Sequence, residues 1–275
     1  METPITLVTG ASSGLGRDTA TLLCKKGHTI YAVARTRSDL ISLQKECANQ
    51  SGKIKILVGD LTNPKIRISI IKTILKESNH LDYLINNAGY GKLGALEKIE
   101  YKDIEGMFAL NVIAMQHLAQ LALPSMLSRK KGRIINIASV AALQPPVFFA
   151  SYNATKYATY GFTRSMSYDL HGSGVSMSAV FPPRMDTPFW IRAFKCKGLT
   201  GKDQDMCVAD YMKQSSPSLK VAKHIVNNLD STNVLILPGL LPKVAYYILR
   251  HFYFIGDFYM KHFMLPKSKK TLHYS

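Results

Sequence analysis

The sequence predicts an α/β fold: one doubly wound parallel sheet of about seven strands with helices on both faces, extended at the C-terminus by an amphipathic helical segment. Three observations predict it. Short apolar runs alternate with helical patterns over the first two thirds of the chain, an order that implies right-handed crossovers between parallel strands. The runs are nearly uninterrupted, as strands buried on both faces require. A glycine-rich turn joins the first run to the first helix. At 275 residues, 47% hydrophobic and 19% charged, the chain suits one such unit with a full core, and a disordered chain is excluded.

Each element follows from local signals. Ile5–Thr9 is an apolar strand, followed by a helix to Lys26 that Gly27 stops. Residues 28–34 form the next strand and 38–49 the next helix. Residues 53–58 form a third strand that ends at Gly59-Asp60. Pro64 opens a helix to about Ser78, and 81–85 is the fourth strand. A long helix spans Tyr101–Ser128. Strand 133–138, helix 150–171 and strand 175–181 follow. Residues 184–218, broken by prolines, glycines and charges, are expected to form a lid. A helix over 219–229 and a strand over 234–237 complete a domain of residues 1–239, leaving 240–275 as an appendage.

The net charge of +17 calls for an anionic partner: a polyphosphate cofactor, an acidic membrane surface or nucleic acid. A solvated basic surface accounts for it equally well. The basic runs 129–131 and 267–270 carry no recognition motif, so no nucleic-acid partner is expected. Cys24, Cys47, Cys196 and Cys207 form no CxxC pair and read as free thiols of a reducing compartment. The first strand follows Met1 too closely for a signal peptide, so a cytoplasmic location is expected. Neither zinc spacing nor HExxH occurs, and no metal is expected. No clean run of about twenty apolar residues suggests a spanning helix.

The turn Thr9-Gly10-Ala11-Ser12-Ser13-Gly14-Leu15-Gly16 lies between the first strand and the first helix. Gly10 permits the tight turn, Gly14 lets backbone approach a pyrophosphate, and Gly16 allows close helix–strand packing. The helix N-terminus supplies N–H groups to the anion. In this position the turn marks a Rossmann-type dinucleotide site. The second strand ends in Ala34-Arg35-Thr36-Arg37, without the carboxylate that would hold free ribose hydroxyls. Arg35, and Arg17 just beyond the last glycine, are therefore the expected partners of a 2′-phosphate, and NADP(H) the expected cofactor. Asp60 stands where it could accept from an adenine amino group, and could equally be a plain turn aspartate.

Tyr152 and Lys156 share one face of the helix over 150–171. An ammonium beside a phenol lowers its pKa and makes it a usable acid and base. Ser139 ends the preceding strand, at the edge where ligands bind such sheets.

With these residues in place, the chain resembles the short-chain dehydrogenase/reductase family over about residues 3–190 and the late strand. The resemblance rests on the Thr9–Gly16 turn, Asn86-Asn87-Ala88-Gly89, Asn111, Ser139, and Tyr152 with Lys156, in the family's order. It implies hydride transfer between the cofactor and a carbonyl or alcohol. Tyr152 would exchange the proton with the substrate oxygen and Ser139 would hold that oxygen. Lys156 would bind the nicotinamide ribose, and Asn111 would hold a water leading to Lys156. Asn87, Ala88 and Gly89, with Leu61 beside Asp60, would support the adenine-ribose side. Pro183 stands where the family has glycine, yet Thr187 keeps its register to bind the carboxamide. The resemblance also implies a homodimer or homotetramer paired through helices 101–128 and 150–171.

Phe149, Phe189 and Trp190 are the expected lining for an apolar, lipid- or steroid-like substrate; packing of the lid onto the body is the competing explanation. Residues 243–265 are rich in aromatics, and Lys243, Arg250, Asp257 and Lys261 cluster on one side at helical spacing. With the lysines that follow, residues 243–270 read as an interfacial membrane helix, or as a helix packed on the body or a second subunit. Two other functions fit the same fold: an NADP(H)-binding sensor without turnover, and a membrane-peripheral interaction protein.

Overall fold

The computed structural model describes residues 3–194, 212–213 and 215–266. Its strands are β1 (Ile5–Thr9), β2 (Thr29–Ala34), β3 (Lys53–Val58), β4 (Tyr83–Asn86), β5 (Gly132–Ile137), β6 (Val175–Val180) and β7 (Leu235–Ile236). All pair in parallel, in the order β3-β2-β1-β4-β5-β6-β7. Val8 of β1 lies opposite Ala32 of β2 and Ile85 of β4, so the direction of strand progression reverses at the β1–β4 junction. In such sheets the crevice for a ligand opens at the carboxyl ends of the strands beside that junction.

Helices α1 (Gly14–Lys25) and α2 (Arg37–Glu46) cover one face of the sheet, joined by α8 (Ser218–Asn227). Their apolar stripes, Leu15, Leu23, Leu40, Leu43, Val221 and Ile225 among them, pack on Val8, Ile30, Ala32 and Ile135. On the other face, α3 (Pro64–Ser78), α5 (Met115–Ser128) and α6 (Ala150–Asp169) close over Leu7, Tyr31, Leu84, Ile134 and Met177. Each strand thus contributes alternate residues to two cores, which is why the sequence shows continuous apolar runs.

The long helix predicted over Tyr101–Ser128 is continuous but not uniform. It runs as α4 (Tyr101–Phe108), one stretch of π-helix (Ala109–Ala114) and then α5. By length and composition it is apolar enough to cross a membrane, contrary to the expectation that no segment is. Its inner side, from Met107 to Met126, is buried in this protein's own core.

The C-terminal extension is helical, but the single amphipathic helix expected there is corrected to two. α9 (Leu240–His251) and α10 (Tyr253–Tyr259) meet at Phe252, whose φ of −130° and ψ of 53° break the helix. A π turn (Met260–Met264) continues α10. Lys243 and Lys261 therefore lie on different axes and do not form one charged stripe. The side chain of Tyr246 fixes α9 to the body, packing with Phe181, Leu237 and Ala142. Of the predicted lid, α7 (Phe189–Ala193) is described. Residues 195–211 and 214 lie outside the described residues, as do Cys196, Cys207 and the lysines of 267–270. Cys24 and Cys47 are buried free thiols.

Candidate active site

The glycine turn is held against β4 by a compact polar clasp. The Thr9 hydroxyl accepts from the backbone N–H groups of Asn87 and Ala88 at 2.9 and 3.0 Å. The Asn87 side-chain amide donates to the Thr9 carbonyl at 2.9 Å. A Cβ on Gly16 would stand 2.3 Å from the Gly10 carbonyl oxygen and 2.4 Å from Asn87 Nδ2, so only glycine lets α1 start this close to the strand ends. Gly10 itself has φ +67°, which glycine adopts without strain. Gly14 sits against Thr187, whose Cγ2 would be 2.8 Å from an added Cβ. The nicotinamide-side threonine predicted from register therefore does reach the glycine turn, and the Pro182-Pro183 pair leaves it in place.

One cleft of about 910 Å³ runs from this turn along the strand ends. Gly10, Ser12, Ser13, Gly14 and Leu15 line it, with Arg35 after β2, Asp60 and Leu61 after β3, Asn87, Ala88 and Gly89 after β4, and Thr187. The donor set suits a phosphorylated dinucleotide: backbone N–H groups at a helix start, a cation at the end of β2 and no carboxylate there. The Asp60 carboxyl is held below its usual range, first by the Thr62 N–H it accepts at 2.9 Å and also by the charge of Arg35.

Arg17 is a correction. Its guanidinium is turned away from the cleft onto α2, where it pairs with Glu46 at 2.7 Å and donates to the Ser42 hydroxyl and the Asp39 carbonyl. Of the two arginines expected at a 2′-phosphate, Arg35 alone lines the cleft. Gly16 also lies outside the lining, consistent with a packing role.

At the far end of the cleft, Ser139, Tyr152 and Lys156 come together. Lys156 Nζ donates to the Ile137 carbonyl at 2.7 Å and lies 5.6 Å from the centre of the Tyr152 ring. The Ser139 hydroxyl oxygen accepts from the Ala141 N–H at 3.1 Å, which fixes its direction at the end of β5. Burial pushes the Tyr152 phenol up to about 12, while a hydrogen bond with Ser139 pulls the other way. This is opposite to the lowered value expected from the ammonium, because loss of water around the phenolate outweighs the hydrogen bond with Ser139. Burial also brings Lys156 down to about 8.

Asn111 does not line the cleft, and its side chain is engaged within the protein. Nδ2 donates to the Tyr90 carbonyl at 2.8 Å and to the Thr155 hydroxyl at 3.0 Å, and Oδ1 accepts from the Tyr90 N–H at 3.1 Å. The Thr155 hydroxyl donates in turn to the Tyr152 carbonyl at 2.7 Å. Asn111 thus braces the helix turn that carries Tyr152, and the π stretch that holds it is of a kind common at functional sites. Thr155 was not singled out from the sequence; its spacing of four from Thr159 and eight from Thr163, all buried on one side of α6, was the available signal.

Phe149, Phe189 and Trp190 line the cleft beside Tyr152. The Phe149 ring is 4.7 Å from Tyr152 and is stacked on Trp190 at 6.2 Å; Phe189 is 5.4 Å from Tyr152. They also pack α7 on the body with Leu93 and Met107, as the competing explanation expected. Phe148, at φ +58°, takes a conformation rare for a bulky residue, and its carbonyl accepts from the Gly94 N–H at 2.8 Å. Tyr259, Met260 and Met264 of the C-terminal extension also line the cleft, which sequence reasoning missed. The recurrence of Gly256, Met260 and Met264 every four residues was the trace it left.

A family model described as short chain dehydrogenase matches residues 4–197. A 3-ketodihydrosphingosine reductase of Bacteroides thetaiotaomicron is 31% identical over 205 residues, 74% of this chain and 72% of that protein. A short-chain dehydrogenase from Sphingobium yanoikuyae in complex with NADPH is 25% identical with a TM-score of 0.77, covering 92% of this chain and 96% of that one. One from Burkholderia phymatum in complex with NAD has a TM-score of 0.82 at 22% identity, covering 92% and 95%, and shows the shared fold.

Proposed function

The chain belongs to the short chain dehydrogenase family, and is thereby an oxidoreductase using a nicotinamide dinucleotide; from that premise we propose that it reduces an apolar, lipid-like ketone with NADPH. The observation that carries this reading is the composition of the cleft: Arg35 at the adenosine end, and Ser139, Tyr152 and Lys156 facing Phe149, Phe189 and Trp190 at the other. The named substrate of the Bacteroides relative, a long-chain keto base, supports the apolar assignment.

The cofactor, when bound, supplies the hydride. Everything else falls to this chain. Ser139 orients the substrate carbonyl by hydrogen bonding to its oxygen. Tyr152, protonated near neutrality, holds the phenolic proton that would pass to that oxygen on reduction. The Lys156 ammonium stabilises the phenolate left behind. The aromatic wall excludes water, which strengthens each of these interactions. The oxidation direction uses the same groups in reverse.

Initial rates of NADPH and NADH oxidation with ketones of increasing alkyl length test the proposal. NADPH preference and kcat/KM rising with chain length are expected. A clear NADH preference, or best turnover with short polar ketones, refutes it.

A further inference from the structure

We infer that the outward side of α9 and α10 docks on an anionic lipid bilayer and holds the mouth of the cleft against it. The two sides of the extension differ in kind. Gly256 is buried, and Met260 and Met264 line the cleft. By contrast Phe254, Phe258 and Phe263 are 58%, 59% and 60% exposed, and Tyr247, Ile248 and Ile255 are exposed on the same two helices. Large aromatics gathered this densely on a surface mark a binding face.

Charge selects the occupant. Lys243 and Lys261 are exposed on the same helices. Their acidic residue, Asp257, lies close enough to α6 that its carboxylate adds to burial in raising the Tyr157 phenol. The sequence continues into Lys267, Lys269 and Lys270 on a chain of net charge +17. A second copy carries the same excess of cations and offers these lysines no matching negative surface. An anionic bilayer instead takes the aromatics into its interface and neutralises the lysines.

Tyr259 lies between Phe258 and Met260, so the docked face and the cleft lining are contiguous in the chain. An apolar ketone could then pass from the bilayer into the cleft without crossing water. That last step rests on the proposed function; the docking does not.

The test is flotation with vesicles of phosphatidylcholine, alone or mixed with phosphatidylglycerol, using the full chain and its F254S/F258S/F263S variant. Light scattering and thermal melting run alongside. Wild type is expected to float with the mixed vesicles, and the triple variant to bind about tenfold or more weakly at unchanged mass and melting temperature. K243E/K261E, which keeps the aromatics, is expected to lose the preference for anionic vesicles and decides the matter should the triple variant unfold. The inference is overturned if wild type shows no anionic preference. It also fails if these variants float like wild type, or if the triple variant converts a wild-type dimer to monomer without changing vesicle binding. Vesicle binding without ketone reduction would leave the docking standing and remove the proposed function.

Discussion

Lys156 Nζ sits 5.6 Å from the centre of the Tyr152 ring and donates a hydrogen bond to the Ile137 carbonyl. The strand end therefore anchors the ammonium, and the phenol is left with its proton for the substrate. Replacing Tyr152 by Phe should lower kcat by about 10²–10⁴-fold, with NADPH affinity nearly unchanged. Steady-state rates and a fluorescence titration of the cofactor check this.

Burial of Lys156 makes stability depend on pH. Its value falls from 10.5 to about 8, so between those values the unfolded chain holds a proton that the folded chain lacks. Stability gained from this group must rise with pH across that window. The opposing shift of Tyr152 acts only between 10 and about 12. Urea midpoints of wild type, compared with Lys156→Met at about pH 7.5 and about pH 9.5, should show wild type gaining on the variant as pH rises.

Cofactor choice should depend on Arg35 and not on Arg17. Arg35→Ala is expected to raise KM for NADPH about tenfold or more and to leave NADH almost unaffected. Arg17→Ala should keep the ratio of the two cofactors and cost at most about 1 kcal/mol of stability, because its pair with Glu46 is partly exposed. Parallel kinetics and melting curves separate the two.

Thr155→Val removes an acceptor from Asn111 and the donor to the Tyr152 carbonyl. A loss of about 1–3 kcal/mol in stability is expected. A positioning role further predicts that kcat falls more than KM rises, and that Thr155→Ser restores both.

Gly16→Ala would drive a methyl group into the Gly10 carbonyl. Destabilisation of about 1–3 kcal/mol and loss of dinucleotide binding are expected by denaturation and calorimetry.

Much of this site was legible in the sequence because it depends on local spacing. The glycine turn, Ser139 after β5, and Tyr152 with Lys156 one helical turn apart each declare their geometry within a few residues. Arg17 was misread because its partner, Glu46, is 29 residues away on another helix. The π stretch around Asn111 is hidden because Ala109–Ala114 carries an ordinary helical pattern. The break at Phe252 has no proline or glycine to announce it, so two helices read as one. The sign of the Tyr152 shift required knowledge of burial, which spacing alone does not supply.

The two-residue β7 has one more consequence. It offers almost no backbone for another strand to pair with, and at the opposite border β3 carries Lys53 and Lys55. Neither rim of the sheet can be lengthened by a neighbouring molecule without stranding amides or crowding ammonium groups. Fibrillar stacking is thereby discouraged at both ends.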